Sequence, residues 1–312
     1  MAALHVESHG SGAPLVMLHG WGMHGGIWGG VVDQLAQHCR VLCVDLPGHG
    51  YSALPSPDGR GAGVTNDLAV VVGQPSQMAS SSISEGAHDE KSAPNLGQSL
   101  TLALSRRERE PDRQLLLDAI VEQLSAQFDE PLNVCGWSLG GKVALRWAQL
   151  HPAQVEKLVL VASTPCFVQR DDWQCAMAGA VLQEFAHALT LHFQLTLQRF
   201  LALQMRGSEA ERAVLLELRA RMFSRGEPDV ASLQAGLQIL RDTDLRMMLP
   251  QLAQAALVIA GERDSLIPAA ASAYLAQQMP DARLVSIAGA AHAPFLSHAD
   301  IFVEQITSFL HE

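Results

Sequence analysis

The 312-residue chain has little aromatic content (5%) and little charge (17%), and its charge is short of positive sign: Lys and Arg number 21 against 32 Asp and Glu, a formal net charge of −11 at pH 7. A nucleic-acid binder carries a basic patch as its electrostatic footprint, so this balance argues against that class. No apolar run approaches the roughly 18–20 residues that a membrane span needs. The opening residues Met1-Ala2-Ala3-Leu4-His5-Val6-Glu7 lack the basic stretch and apolar core of a signal peptide, and a cytoplasmic protein without membrane association is expected. The five cysteines (Cys39, Cys43, Cys135, Cys166 and Cys175) form an odd set without Cys-x-x-Cys spacing, which favours buried thiols over a disulfide or zinc framework. No cluster has metal-ligand spacing and no Gly-x-Gly-x-x-Gly follows a strand signal, so neither metal nor cofactor is implied. What is present is apolar residues at 48%, enough for a packed core and too many for a disordered or collagen-like chain.

Those apolar residues come in short runs. Residues 15–18, 41–44, 132–135, 158–161, 257–259 and 284–287 are brief, partly β-branched and not alternating, as strands buried on both faces of a parallel sheet are. Helix-like stretches such as 115–128 and 142–150 lie between them, and the alternation predicts an α/β fold with a mostly parallel sheet flanked by helices. Two regions break the pattern. Residues 56–110 are rich in Ser, Gly and Pro, lie within the aromatic-free stretch between Tyr51 and Phe128, and read as a disordered insertion. Residues 167–247 read as helical throughout, with Phe185, Leu189, Phe193, Leu197 and Leu201 forming one apolar stripe. The expected organisation is a core of 1–166 and 248–312 with a helical cap at 167–247.

The chemistry centres on Gly136-Trp137-Ser138-Leu139-Gly140-Gly141, between a strand signal and a helix signal. A turn this tight strains its central residue and lifts the serine hydroxyl clear of the backbone, at a helix N-terminus that favours developing negative charge. A serine hydroxyl is a weak nucleophile until a base takes its proton. Among 13 histidines, His292 sits in the loop after the last strand signal, on the sheet edge that carries Ser138; His298, six residues on, is the alternative. Asp264, in the loop after 257–259, is placed to hold the base's tautomer, with Glu262 as its alternative. His19 and His49 lie in glycine-rich turns and read as structural. The Leu139 N–H and the Trp21 N–H, in His19-Gly20-Trp21-Gly22 after the first strand run, are the candidate oxyanion donors, and the Trp21 indole is placed to wall a pocket.

The chain order Ser138, Asp264, His292 and the motifs His19–Gly22, Asp45-Leu46-Pro47-Gly48-His49-Gly50 and Gly136–Gly141 resemble the α/β-hydrolase superfamily. More specific segments are Ala162–Phe167 with Arg170–Trp173, then Arg199–Gln204, then Ala291–His298. Outside 56–110 these resemble the esterases of biotin synthesis that act on a pimeloyl methyl ester held on acyl carrier protein. The resemblance implies an α/β-hydrolase fold, a Ser138–Asp264–His292 triad, and substrate contacts at Trp21, Leu139, Phe200, Leu201, Ala202, Leu203 and Gln204. It also implies a monomer whose cap arginines Arg199, Arg212 and Arg219 dock an acidic carrier protein. Leu195 departs from that pattern, standing where an arginine is expected. Between 199 and 225 six arginines face three glutamates, a local reversal of the chain's negative sign. A broad short-chain carboxylesterase, a carbon–carbon bond hydrolase and a slow-turnover ligand receptor remain open on the residues alone.

Overall fold

A computed structural model describes residues 3–52, 115–208 and 211–312; the expected insertion at 56–110 lies outside them. Among the described residues seven strands form one sheet in the order β1-β3-β2-β4-β5-β6-β7. They are β1 (Val6–His9), β2 (Pro14–Leu18), β3 (Arg40–Val44), β4 (Leu132–Trp137), β5 (Val155–Val161), β6 (Ala255–Gly261) and β7 (Ala282–Ile287). All neighbours are parallel except β1 on β3. Each of the six apolar runs falls on a strand. β2 and β4 are buried at every residue, because covered parallel strands have no solvent face to mark with polar side chains. β1 carries no apolar run and was not legible: an edge strand can pair with a half-exposed Val-Glu-Ser-His.

The sheet's partners are α1 (Gly30–Leu35), α2 (described over 115–125), α3 (Leu139–Leu150), α8 (Ala269–Gln278), α9 (Pro294–Ser297) and α10 (Ala299–His311). Trp28, Trp137, Phe295 and Phe302 form a buried aromatic cluster, with Trp28–Phe295 and Trp137–Phe295 ring centroids 4.6 and 5.0 Å apart. Among the described residues no helix is long and apolar enough to cross a membrane.

Between β5 and β6 the chain makes α4 (Gly179–Leu191), α5 (Phe193–Met205), α6 (Glu211–Met222) and α7 (Val230–Asp242). The expectation of helix throughout 167–247 needs two corrections. Residues 167–178 form short bridges, a turn and bends, with Met177 N–H donating to Phe167 O at 3.0 Å and Gln169 N–H to Met177 O at 2.9 Å. These backbone groups are already committed and cannot join a helical ladder, and residues 223–229 are non-helical as well. The apolar stripe is also not on one helix. His192, at φ −139° and ψ 58°, ends α4 and begins α5, so the four-residue repeat turns a corner and buries Leu189, Leu197 and Leu201 where the two helices meet the core.

Candidate active site

Ser138 lies between the last residue of β4 and the first of α3, at φ 54° and ψ −112°. Left-handed backbone at a residue with a Cβ costs about 1–3 kcal/mol and persists only where the surroundings over-determine it. Here Ser138 N–H donates to Val161 O (2.9 Å), and Ser138 O accepts from Gly141 N–H (3.1 Å) and Ser163 Oγ (3.1 Å). The flanking glycines answer to close approach: a Cβ on Gly136 would strike the Gly140 carbonyl, and one on Gly140 the carbonyl of Leu18 on β2. A tight strand-to-helix turn therefore requires these two positions to be bare.

Asp264 and His292 are brought together. Asp264 Oδ2 lies 2.8 Å from His292 Nδ1, with both side chains almost fully buried, and Asp264 Oδ1 accepts from Leu266 N–H (2.8 Å) and Ile267 N–H (3.0 Å). A carboxylate fixed in this way selects the Nδ1–H tautomer and leaves Nε2 with a lone pair for a proton. The His292 backbone is fixed as well: its N–H donates to Gln204 O on α5 (3.1 Å) and its carbonyl accepts from Trp137 Nε1 (2.8 Å). Trp137, the residue before the nucleophile, thus ties the histidine loop to the serine strand. Sequence reasoning missed it; its one signal was a bulky hydrogen-bonding side chain inside the glycine turn. No direct Ser138–His292 hydrogen bond is present among the described residues, and such contacts often close only once substrate is in place. The alternatives go elsewhere. Glu262 Oε2 accepts from Gly289 N–H (3.2 Å), and His298 stands at the N-terminus of α10 with Nδ1 2.8 Å from Ser297 Oγ.

Leu139 is the first residue of α3, where an N–H has no partner within the helix. Trp21 follows a turn held by His19, whose Nδ1–H donates to Gly20 O (2.8 Å) while Nε2 accepts from Leu46 N–H (3.0 Å). Burial pushes the His19 pKa well below 6.5, so it stays neutral in this bridging role. No described residue accepts from the Leu139 or Trp21 N–H, and both remain available to an oxyanion.

An apolar cavity opens above Ser138. Trp21, Phe185 and Phe200 wall it, with ring centroids 5.0–5.5 Å apart, and Phe167, Met177, Leu182, Leu203, Leu237 and Leu240 complete most of it. Ser138 is the one polar side chain among its described lining residues, so the cavity suits a neutral, flexible hydrocarbon chain that ends at the hydroxyl. Of the substrate contacts expected on α5, Phe200 and Leu203 line the cavity. Leu201 and Gln204 are instead buried in the packing behind it and Ala202 is half-buried. Gln204 still reaches the site, through its carbonyl on His292.

Arg199 on α5 and Arg212 and Arg219 on α6 are exposed and make no ion pair among the described residues. Two arginines counted with them are not free: Arg225 pairs with Asp45 (3.0 Å) and Glu7 (2.5 Å), and Arg221 with Glu217 (2.7 Å). The outward positive charge is therefore smaller than the sequence count suggests.

A parallel sheet with a serine elbow, an Asp–His pair on the following strand ends and a helical layer between β5 and β6 defines a class, and the family model described as "alpha/beta hydrolase fold" matches residues 13–299. The chain belongs to that family. Among its curated relatives, pimeloyl-[acyl-carrier protein] methyl ester esterases from Nitrosomonas europaea and Nitrosospira multiformis are 39% and 37% identical, over 97% and 98% of this chain and 98% of each relative. Among solved structures, an esterase from Exiguobacterium antarcticum matches with a TM-score of 0.69 at 20% identity, covering 100% of both chains. A likeness at that identity speaks for the fold alone.

Proposed function

We propose that this chain is a serine esterase that hydrolyses the methyl ester of a pimeloyl chain carried on acyl carrier protein, a step of biotin synthesis. The observation that carries the reading is the buried Asp264–His292 pair, tied through Trp137 to the strand that presents Ser138 beneath an apolar cavity. Ser138 Oγ attacks the ester carbonyl as His292 Nε2 takes its proton, and the Leu139 and Trp21 N–H groups hold the oxyanion. His292 returns the proton to the departing methoxide, which leaves as methanol. A water attacks the acyl-enzyme by the same route and frees the acid.

The substrate assignment rests on the near full-length relatives, and two features of the site agree with it. The cavity is lined for a methylene chain, and Arg199, Arg212 and Arg219 offer positive charge to an acidic carrier on an otherwise acidic protein. Residues 167–247 act in this reading as a cap on the core formed by 1–166 and 248–312, and the enzyme works as a cytoplasmic monomer. The test is to incubate the purified chain with pimeloyl-acyl carrier protein methyl ester. Methanol release and a fluorophosphonate adduct on Ser138 are expected, both lost in Ser138→Ala. Labelling of Ser138 without turnover of the carrier-bound ester would replace this substrate with another ester.

A further inference from the structure

Lys142 takes no part in the chemistry above, yet it is fully buried on α3, one turn beyond Ser138. Its Nζ donates to two backbone carbonyls, Pro165 O at 2.9 Å and Thr243 O at 3.1 Å. These acceptors mark where the chain leaves the sheet for the four-helix layer and where it returns. Pro165 follows β5, and Thr243 directly follows α7. The two segments run side by side: Leu245 N–H donates to Pro165 O (3.0 Å), and Cys166 and Asp244 form an antiparallel bridge. Trp173 Nε1 donates to Cys166 O (2.9 Å) and Arg246 pairs with both Asp244 and Asp172, so the pair of segments is a small rigid stalk.

A methionine or leucine would fill the space under this stalk without desolvating a charge, and a buried ammonium costs several kcal/mol before its partners are counted. Burial pushes the Lys142 pKa down to about 8. The groups facing it from the stalk are Cys166 and Asp244, which raise it, and Arg170, which lowers it further. Burial also works against the Asp244 carboxylate, but hydrogen bonds and charge from Arg246 outweigh it and hold its pKa below the ordinary value. What the ammonium supplies in return is geometry, because charge-assisted donors hold two carbonyls at a defined distance.

We infer that Lys142 is a positioning residue: by pinning both segments of the stalk to the nucleophile helix it sets the spacing between the four-helix layer and Ser138, and with it the shape of the acyl cavity. The inference rests on the proposed function in taking that cavity as the acyl site. The nucleophile, base and oxyanion donors all lie on the sheet side, whereas Phe185, Phe200, Leu203 and Leu237 come from the layer that the stalk carries. A displaced layer therefore weakens the grip on a long chain far more than it disturbs the chemistry on a short one, which the layer reaches through the Gln204 carbonyl on His292.

The experiment compares p-nitrophenyl acetate and p-nitrophenyl octanoate as substrates of the full chain and of Lys142→Met. The octanoate KM is expected to rise about tenfold in the variant with kcat nearly kept, the signature of lost uniform binding, while acetate kcat/KM stays within about twofold. Equal losses on both esters, or no change on either, would overturn the inference. A second arm needs no variant. In the wild-type protein the octanoate-to-acetate KM ratio should rise several-fold between about pH 7 and about pH 9, as the ammonium loses its proton and with it the charge that strengthens both bonds. A flat ratio overturns the inference even if the Met variant cannot be obtained folded. Failure of the underlying reading registers separately, as ester turnover that survives Ser138→Ala.

Discussion

The sheet and the helical layer above it solve the burial problem in different ways. Along β2 and β4 every residue is buried, and the strands pair in parallel from β3 through to β7, with one register shift between Leu132 and Val134 where β4 meets β5. The layer instead leaves large apolar side chains in water: Val181 is 53%, Leu191 61%, Leu195 46% and Leu216 60% exposed. It is joined to the sheet partly through point contacts, such as Lys142 to the stalk, Arg225 to Asp45, His24 Nε2 to Arg221 O (2.7 Å) and His292 N–H to Gln204 O (3.1 Å). On the proposed function the difference has a purpose: groups that must be held to a fraction of an ångström sit on the buried core, and groups that would choose the substrate sit on the layer joined to it.

The comparison is broken most directly on the sheet side. Ser138→Ala and His292→Ala are each expected to lower ester turnover by about 10⁴–10⁶ with the fold intact, and Asp264→Asn by about 10⁴ through loss of the correct tautomer. His298→Ala and Glu262→Gln should stay near wild type. Steady-state kinetics with circular dichroism as the folding control check this series, and a large loss at His298 would move the base. A smaller effect is expected at Trp137→Phe, which keeps the ring in the aromatic cluster and removes the N–H that holds the His292 carbonyl. A drop in kcat of about 10–100-fold with KM little changed would place that bond in the positioning of the base.

On the layer side, changing Arg199, Arg212 and Arg219 together to Glu should lower kcat/KM for carrier-bound ester by about tenfold at low salt, and less as salt rises, because rim charges act mainly on association. A small free ester should be hydrolysed at the wild-type rate, since it does not meet that surface. Equal losses on both substrates would turn the arginine face from a docking surface into a structural one. The smallest effect concerns pH. Burial holds His19 neutral in the fold well below 6.5, whereas the unfolded chain takes up a proton there. The unfolded state thus binds more protons below about pH 6.5, so stability is present above that pH and lost as the pH falls, with a slope of up to about 1.4 kcal/mol per unit. Urea midpoints at about pH 7.5 and about pH 5.5 measure it, and equal midpoints would mean that His19 is protonated in the native state.

Much of the sheet side was legible in the residues. Each short apolar run became a strand. The runs on β2 to β6 are fully buried, because strands covered on both faces have no polar positions to interrupt the run. The edge strand β7 instead leaves Leu284 40% exposed and does not meet the expectation of burial on both faces. The glycines at 136 and 140 announced the elbow, since only bare backbone allows helix and strand that close an approach. Asp264 and His292 were found from position, because loops at the carboxyl ends of neighbouring parallel strands necessarily meet on one edge.

The helical layer was legible only in outline. A four-residue apolar repeat continues across the corner at His192 because both helices bury the same side of the chain, so periodicity alone cannot show the break. Six arginines on one segment look alike in sequence, and only contacts with Glu7, Asp45 and Glu217 separate the two that are paired within the fold from those that face water. Lys142 is the sharpest case: a lysine on an amphipathic helix reads as a solvated residue. Its place beneath the stalk follows from where two carbonyls, more than seventy residues apart in the chain, come to rest. Local pattern determined the strands, the elbow and the chain order of Ser138, Asp264 and His292, because those depend on residues near in sequence or on strand ends that the fold class brings together. The tertiary structure alone decided which charges are buried and which helix faces line the cavity, because desolvation and contact depend on neighbours that no local window contains.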